Sequence, residues 1–222
     1  NLDPGLRRGD IKEDPNHSSR CVIPAKAGIQ FPNIRNIRSK TITFIGRLVP
    51  EKGIFLLLEA FAQLKTYHDQ WQLHFVGDGP AKEQLLDTIK NINTSTIKHI
   101  PTCSPHEVAN MLASTDIFVL PSYDTPEWKE QFGHVIIEAM ACGVPVITTT
   151  GGAITEVVDD AGLVCNQKDV TALAQSLTLL MTSQTMRETL AAKGIAHVNK
   201  RYTHEAIAHS TYRFWHKMVT ST

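Results

Sequence analysis

The chain has no net charge to offer. It carries 22 Lys and Arg against 22 Asp and Glu over 222 residues, so nothing global draws it to nucleic acid or to an anionic membrane. Any cationic site must therefore be local. Cysteine is scarce and scattered: Cys21, Cys103, Cys142 and Cys165 form no CxxC pair and no Cys/His cluster. That spacing excludes a zinc module and reads as reduced, cytosolic thiols. Long apolar runs are missing as well. The longest, Ile54 to Leu64, is interrupted by Glu59 and Gln63 and falls far short of the roughly 20 residues a bilayer span needs. No charged-then-apolar leader occupies the first thirty residues. The expectation is a cytoplasmic protein with no transmembrane segment and no nucleic-acid partner. The chain opens on Asn1 rather than methionine, which reads as a fragment. What remains is ordinary globular composition, 42% apolar and 20% charged, enough to close a core without disulfides or metals.

Residues 1–40 differ from the rest. NLDPGLRRGDIKEDPNHSSR is rich in Pro, Gly and charge and has no period, which predicts a disordered or linker segment. Two origins stand open: an ordinary interdomain linker, or an insertion scar, since LDPGLRRGD and VIPAKAGIQ resemble translated bacterial intergenic repeats. From Thr41 onward strand-like and helix-like segments alternate. Strands are predicted at Thr41–Ile45, Trp71–Val76, Ile97–Ile100, Asp116–Leu120, Val144–Thr148 and Gly162–Cys165. Helices are predicted at Ile54–Leu64, from Pro80 to Ile92, from a Ser104 cap to Ala113, from near Gly133, and in a short piece ending at Val158. Three more close the chain near 168–182, 184–200 and 203–219. Short strands alternating with helices imply an α/β, doubly wound, parallel sheet. Ligands of such sheets bind beyond the carboxyl ends of the strands, so the loops there are where chemistry is sought.

The loop after the first strand reads GRLVPEKG. Gly46 would let the chain turn and a ligand approach the backbone. Arg47 and Lys52 bracket the turn beside a helix start, a pairing suited to a diphosphate. From these residues alone a solvated basic loop is the simpler reading; as a diphosphate contact, Lys52 should be removable with loss of nucleotide binding but nearly unchanged ligand-free stability. After the fifth strand, Thr148-Thr149-Thr150-Gly151-Gly152 can turn backbone amides toward a phosphate or serve as a tight turn only. The richest segment is PSYDTPEWKEQFGHVIIEAMACGVP, residues 121–145. Glu130 enters a helix and Glu138 lies about one and a half turns inside it. Carboxylates in this arrangement suit sugar hydroxyls, which they bind through two acceptor oxygens. Amides at Phe132, Gly133 and His134 are free to donate at the helix start. Glu130 alone could simply compensate the helix dipole. Glu138, set in an apolar run, has no such excuse.

Glu130 and Glu138 with seven residues between them, followed by AMACGVPVI, resemble the signature of the retaining glycosyltransferases of family four. GRLVPEKG at 46–53, FVGDGP at 75–80, TDIFVLPS at 115–122 and AGLV at 161–164 match that family in order. The resemblance covers about 41–219 and implies the Rossmann-like, nucleotide-sugar-binding C-terminal lobe of a glycosyltransferase B fold, closed by C-terminal helices. It implies a bacterial enzyme of polysaccharide or lipopolysaccharide biosynthesis. Carried over residue by residue, Arg47 and Lys52 bind the diphosphate, Glu138 the ribose hydroxyls and Glu130 the donor sugar. Main chain at Phe132, Gly133 and His134 reads sugar hydroxyls. Gly46 lines the phosphates, Gly77, Asp78 and Gly79 lie near the nucleotide, and Gly151 and Gly152 lie near the phosphates and sugar. The loop before Glu130 is longer than usual in the family. The acceptor-binding N-terminal lobe has no counterpart in the chain.

Departure of a nucleoside diphosphate leaves extra negative charge on the leaving group. Arg47, Lys52 and helix-start amides can neutralise it without a metal or other cofactor. No DxD pattern is present, and Asp159-Asp160 reads as a turn. Two functions follow: a retaining transferase domain that acts on a saccharide or lipid-linked acceptor once joined to its other lobe, with peripheral membrane contact open, or a catalytically inactive, truncated donor-binding remnant. A sugar-nucleotide epimerase of related architecture fits the Glu130/Glu138 spacing less well.

Overall fold

A computed structural model describes residues 40–64 and 70–220, so the reading of residues 1–40 as linker or insertion lies outside the described residues except at Lys40, which already belongs to the first strand. Six parallel strands form one sheet: β1 Lys40–Ile45, β2 Trp71–Val76, β3 Ile97–Ile100, β4 Ile117–Leu120, β5 Val146–Thr149 and β6 Leu163–Cys165, in the spatial order β3-β2-β1-β4-β5-β6. This is the doubly wound arrangement, with the order reversing between β1 and β4. Ile42 pairs with Ile117 and Thr43 with Phe118 across that junction. The four residues of β4 and of β5 are all buried, as expected of parallel strands covered on both faces. The one polar pair this deep in β1 is satisfied: Thr43 and Thr115 share a buried hydroxyl hydrogen bond of 2.8 Å.

Helices cover the sheet. α1 (Ile54–Leu64) packs on α2 (Lys82–Ile92) and α6 (Val170–Thr182). α4 (His134–Ala141) packs on α3 (Pro105–Ala113), α5 (Ile154–Val158) and α7 (Gln184–Arg201). Right-handed crossovers on either side of the switch point place these two groups on opposite faces. α3 opens with the predicted capping box, Ser104 and Glu107 bonding each other's backbone N–H. Its two donors are thereby satisfied reciprocally.

Predicted boundaries move at the starts of α2 and β5. α2 begins at Lys82 with Ala81 as N-cap, so Pro80 stands in the turn and not in the first helical turn. β5 begins at Val146 rather than Val144, because Pro145 has no N–H for the ladder; its carbonyl still accepts from Phe118 at 3.0 Å. Asp159-Asp160 is a turn, as read. Asp159 pairs with Arg201 and Asp160 with Lys193, both on α7. The last helix, α8 (His204–Thr220), has no buried residue. Tyr212, Phe214 and Trp215 are 60–67% exposed, an apolar patch at this end of the chain.

Candidate functional site

At the switch point the loops leaving β1 and β4 emerge side by side. After β1 the chain runs through Arg47 to Val49 into a single 3₁₀ turn, Pro50–Lys52. Gly53 closes that turn at φ +75°, where a Cβ would stand 2.0 Å from the Pro121 carbonyl oxygen. Only glycine can bring the two loops this close. Tyr123 N–H then donates to the Glu51 carbonyl at 2.8 Å. The β2 loop is locked to the same turn. A Cβ on Gly77 would stand 2.1 Å from the Gly46 carbonyl oxygen, and Leu48 N–H donates to the Asp78 carbonyl at 2.8 Å. Gly46 itself is different from the expectation. It is not among the glycines with left-handed φ, and a Cβ there would meet only the Phe44 ring at 3.4 Å. The turn is made by Gly53 and Gly77.

Lys52 and Glu130, predicted as separate ligand contacts, meet each other. The Lys52 ammonium donates directly to Glu130 Oε2. Glu130 is buried, 8% exposed, and the same oxygen accepts from Ser122 Oγ at 3.2 Å. The Trp128 ring lies over the ammonium, 5.1 Å from Nζ to centroid. Lys52 is thus not the solvated surface charge its loop suggested. Removing it would strand a buried carboxylate. Arg47 is the solvated one: it is exposed and pairs with no carboxylate among the described residues. Asp78 is already committed. The Gly79 N–H at 2.7 Å and the Lys82 ammonium at 3.3 Å hold its carboxyl below the ordinary carboxylate range.

The Gly151-Gly152 pair serves mainly to let backbones meet. Gly152 sits at φ +54°, where a Cβ would be 1.9 Å from the Glu130 carbonyl oxygen, and a Cβ on Gly151 would be 2.8 Å from that of Ser122. The Glu130 carbonyl accepts from Ala153 N–H at 2.9 Å. The Gly152 N–H donates to Asp124 Oδ1 at 2.9 Å. One donor of the expected phosphate cradle is therefore occupied. Thr148 and Thr149 point hydroxyls at the Leu120 and Ser122 carbonyls, which stitches the ends of β4 and β5 together.

α4 starts at Gly133, at φ +70°, with no side-chain cap; the Ile136 N–H donates to the Gly133 carbonyl at 2.8 Å, while helix geometry gives the N–H groups of His134 and Val135 no intrahelical partner. Phe132 beside it packs at a tilt against His134, ring centroids 4.8 Å apart, and edge-on to Tyr202 at 5.8 Å. Tyr202 and His197 both bond the Val157 carbonyl, anchoring the start of α4 through α7. Glu138, one turn after His134, is half-buried. Burial raises its carboxyl above the ordinary range, and the His134 charge partly offsets this. No described residue hydrogen-bonds its carboxylate. Sequence reasoning named these positions but missed Ser122, Asp124 and Trp128. Trp128 had a signal, the extra length of the loop before Glu130. The polar concavity of about 460 Å³ at the junction of α7 and α8 lies elsewhere, lined by Asn199, Lys200, Glu205, His209 and Arg213 among others.

With this geometry in place, comparison with known proteins is informative. The sequence profile described as Glycosyl transferases group 1 matches residues 28–197. A GDP-mannose-dependent monoacylated alpha-(1-6)-phosphatidylinositol monomannoside mannosyltransferase of Corynebacterium glutamicum is 34% identical over 162 residues, 72% of this chain and 42% of that protein. A phosphatidyl-myo-inositol mannosyltransferase of Mycobacterium leprae is 30% identical over 215 residues, 96% of this chain and 54% of that protein. The chain spans about half the length of such relatives or less. Among solved structures, the C-terminal domain of a group 1 glycosyl transferase, LpcC of Francisella tularensis, superposes with a TM-score of 0.68 at 26% identity, covering 75% of this chain and 88% of that one. The Anabaena protein HepE in complex with UDP and glucose shares the fold, with a TM-score of 0.67 at 23% identity over 83% of this chain and 49% of that one.

Proposed function

The chain belongs to the group 1 glycosyl transferases, and from that premise we propose that its switch-point crevice binds a nucleotide-sugar donor and serves retaining transfer to a saccharide or lipid-linked acceptor. One observation carries the reading: the β1 and β4 loops deliver an ammonium, a buried carboxylate and an uncapped helix start to one crevice at the reversal of strand order. Doubly wound sheets bind ligands at that place. In this reading the diphosphate is met by Lys52, by exposed Arg47 and by the first amides of α4. These cations and dipoles, already aimed at the leaving group, stabilise the charge that develops as the glycosidic bond breaks, with no metal required. Glu138 keeps an unpartnered carboxylate for ribose hydroxyls. Glu130 accepts from donor-sugar hydroxyls while its backbone stays fixed by Ala153.

The acceptor would be held by a second lobe, which the residues described do not contain, and the exposed face of α8 is a surface for it. Calorimetry of the full chain against UDP-, GDP- and ADP-sugars tests the donor reading. One family of nucleotide should bind, and Lys52→Met should weaken it at least tenfold; absence of binding to all three would overturn the proposal. Incubation with labelled donor and saccharide or lipid acceptors separates transfer from binding alone. At most slow hydrolysis of the donor is expected from this chain, because closure of two lobes is what aligns an acceptor and excludes water. Turnover of order 1 per second or faster would place the acceptor site in this chain.

A further inference from the structure

Trp128 belongs to none of the sequence motifs, yet the structure puts it on the central cation. The turn that carries it is closed on itself: Thr125 N–H donates to the Trp128 carbonyl at 2.9 Å, and Trp128 N–H to Thr125 Oγ1 at 3.1 Å. Its indole, half-buried, faces the Lys52 ammonium at 5.1 Å, and Glu130 holds the same ammonium from another side. A lysine head on a four-carbon stem is otherwise free to rotate, and its rotamer entropy must be surrendered when it binds a ligand. Caging the head during folding moves that cost out of the binding step. An ammonium has three N–H donors. One goes to Glu130 and the ring face meets another, which leaves a donor for an incoming anion.

We propose that Trp128 is a positioning residue for Lys52, its indole face fixing the ammonium so that a free N–H is presented to the donor's phosphates. This rests on the reading of Lys52 as a diphosphate contact. If Trp128 acts through Lys52, its removal matters only while Lys52 is present. The test is calorimetry of the full chain with whichever of UDP, GDP or ADP the wild type binds, on wild type, Trp128→Ala, Trp128→Phe, Lys52→Met and the Trp128→Ala/Lys52→Met double variant. Trp128→Ala should weaken binding about three- to tenfold, the range of a partly desolvated cation–π contact. Trp128→Phe, which keeps a ring face, should recover most of that loss. In the Lys52→Met background, Trp128→Ala should change affinity less than about twofold. An equal loss in both backgrounds would make Trp128 a scaffold or a direct ligand contact and overturn the proposal, as would a Phe variant no better than Ala.

A second readout needs no ligand. The indole N–H resonance of Trp128, assigned by its loss in Trp128→Phe, should shift in Lys52→Met while those of Trp71 and Trp215 stay. An unmoved resonance with nucleotide binding intact overturns the positioning role alone. Failure of the wild type to bind any nucleoside diphosphate overturns the donor reading and the proposal with it.

Discussion

Substituting Lys52 by alanine should destabilise the chain even with no ligand present. Lys52 and Glu130 are 19% and 10% exposed at the side chain, so neither sits in bulk water. Losing the lysine leaves the Glu130 carboxylate with the Ser122 hydroxyl as its only side-chain partner among the described residues. Stranding one member of a fully buried ion pair costs about 3–5 kcal/mol. Here both side chains keep some exposure to solvent, which lowers the figure to about 2 kcal/mol. For a chain of this size each kcal/mol moves the melting temperature roughly 2–4 °C, so the drop should be about 4–8 °C. The Lys52→Met/Glu130→Gln pair should recover most of it, since an uncharged amide keeps the Ser122 contact and asks for no counter-charge. Differential scanning fluorimetry without ligand decides the matter. A melting temperature within one degree of wild type for Lys52→Ala would mean that the pair contributes nothing and that Lys52 is a solvated charge after all.

Arg47→Ala is the contrast: it should leave the ligand-free melting temperature unchanged and weaken nucleoside-diphosphate binding by about 1.5–3 kcal/mol, with unchanged affinity in calorimetry counting against an anion contact at Arg47. Glu138→Gln should stabilise the ligand-free chain at pH 7. Folding raises this carboxyl above its ordinary 4.5, so the ionised form is penalised above the folded value and the penalty vanishes below 4.5. The gain should therefore shrink between pH 7 and pH 4.5 in denaturant melts, and a gain that grows on acidification would reverse the assignment. The same variant should lose affinity for free nucleotide and nucleotide sugar alike, whereas Glu130→Gln should hurt the nucleotide sugar selectively; equal losses for both ligands in both variants would contradict the division. Gly152→Ala should cost at least about 2 kcal/mol, because it combines left-handed backbone with a Cβ 1.9 Å from a carbonyl oxygen, while Gly46→Ala should cost little; equal melting temperatures for the two variants would refute that reading of the glycines.

The sheet was legible because its strands are covered on both faces and so read as short, largely apolar runs, β1 and β2 stopping at Gly46 and Gly77. IFVL and VITT could be little else between helical patterns. The places where the site loops emerge were legible from Gly46, Gly77 and Gly133, but which glycine does the turning was not. That depends on backbone angles set by neighbouring loops, and Gly53 answers to Pro121 across the switch point. Side-chain pairing was legible least. Lys52 and Glu130 lie 78 positions apart, and nothing in either loop announces the other. Read locally, Lys52 is a basic residue in a polar turn; read in the fold, it is the counter-charge of a buried acid.

That pairing also explains how one crevice can be sensed by three loops. Glu130 binds Lys52 of the β1 loop and Ser122 of the β4 loop through its side chain, while its carbonyl accepts from Ala153 beyond β5 and closes against Gly152. An anion that competes for the Lys52 ammonium weakens the hold on the carboxylate but not on the backbone, which the Ala153 bond and the Gly152 contact keep in place. The carboxylate is then released to accept hydroxyl donors at a position already fixed. On the proposed reading, a donor carrying both a diphosphate and a sugar uses the ammonium's spare N–H and brings hydroxyls to the acid, whereas a nucleoside diphosphate alone shares the cation and brings the acid no hydroxyl. That reading therefore predicts tighter binding of the complete nucleotide sugar than of the nucleoside diphosphate alone, and equal affinities in calorimetry would count against it.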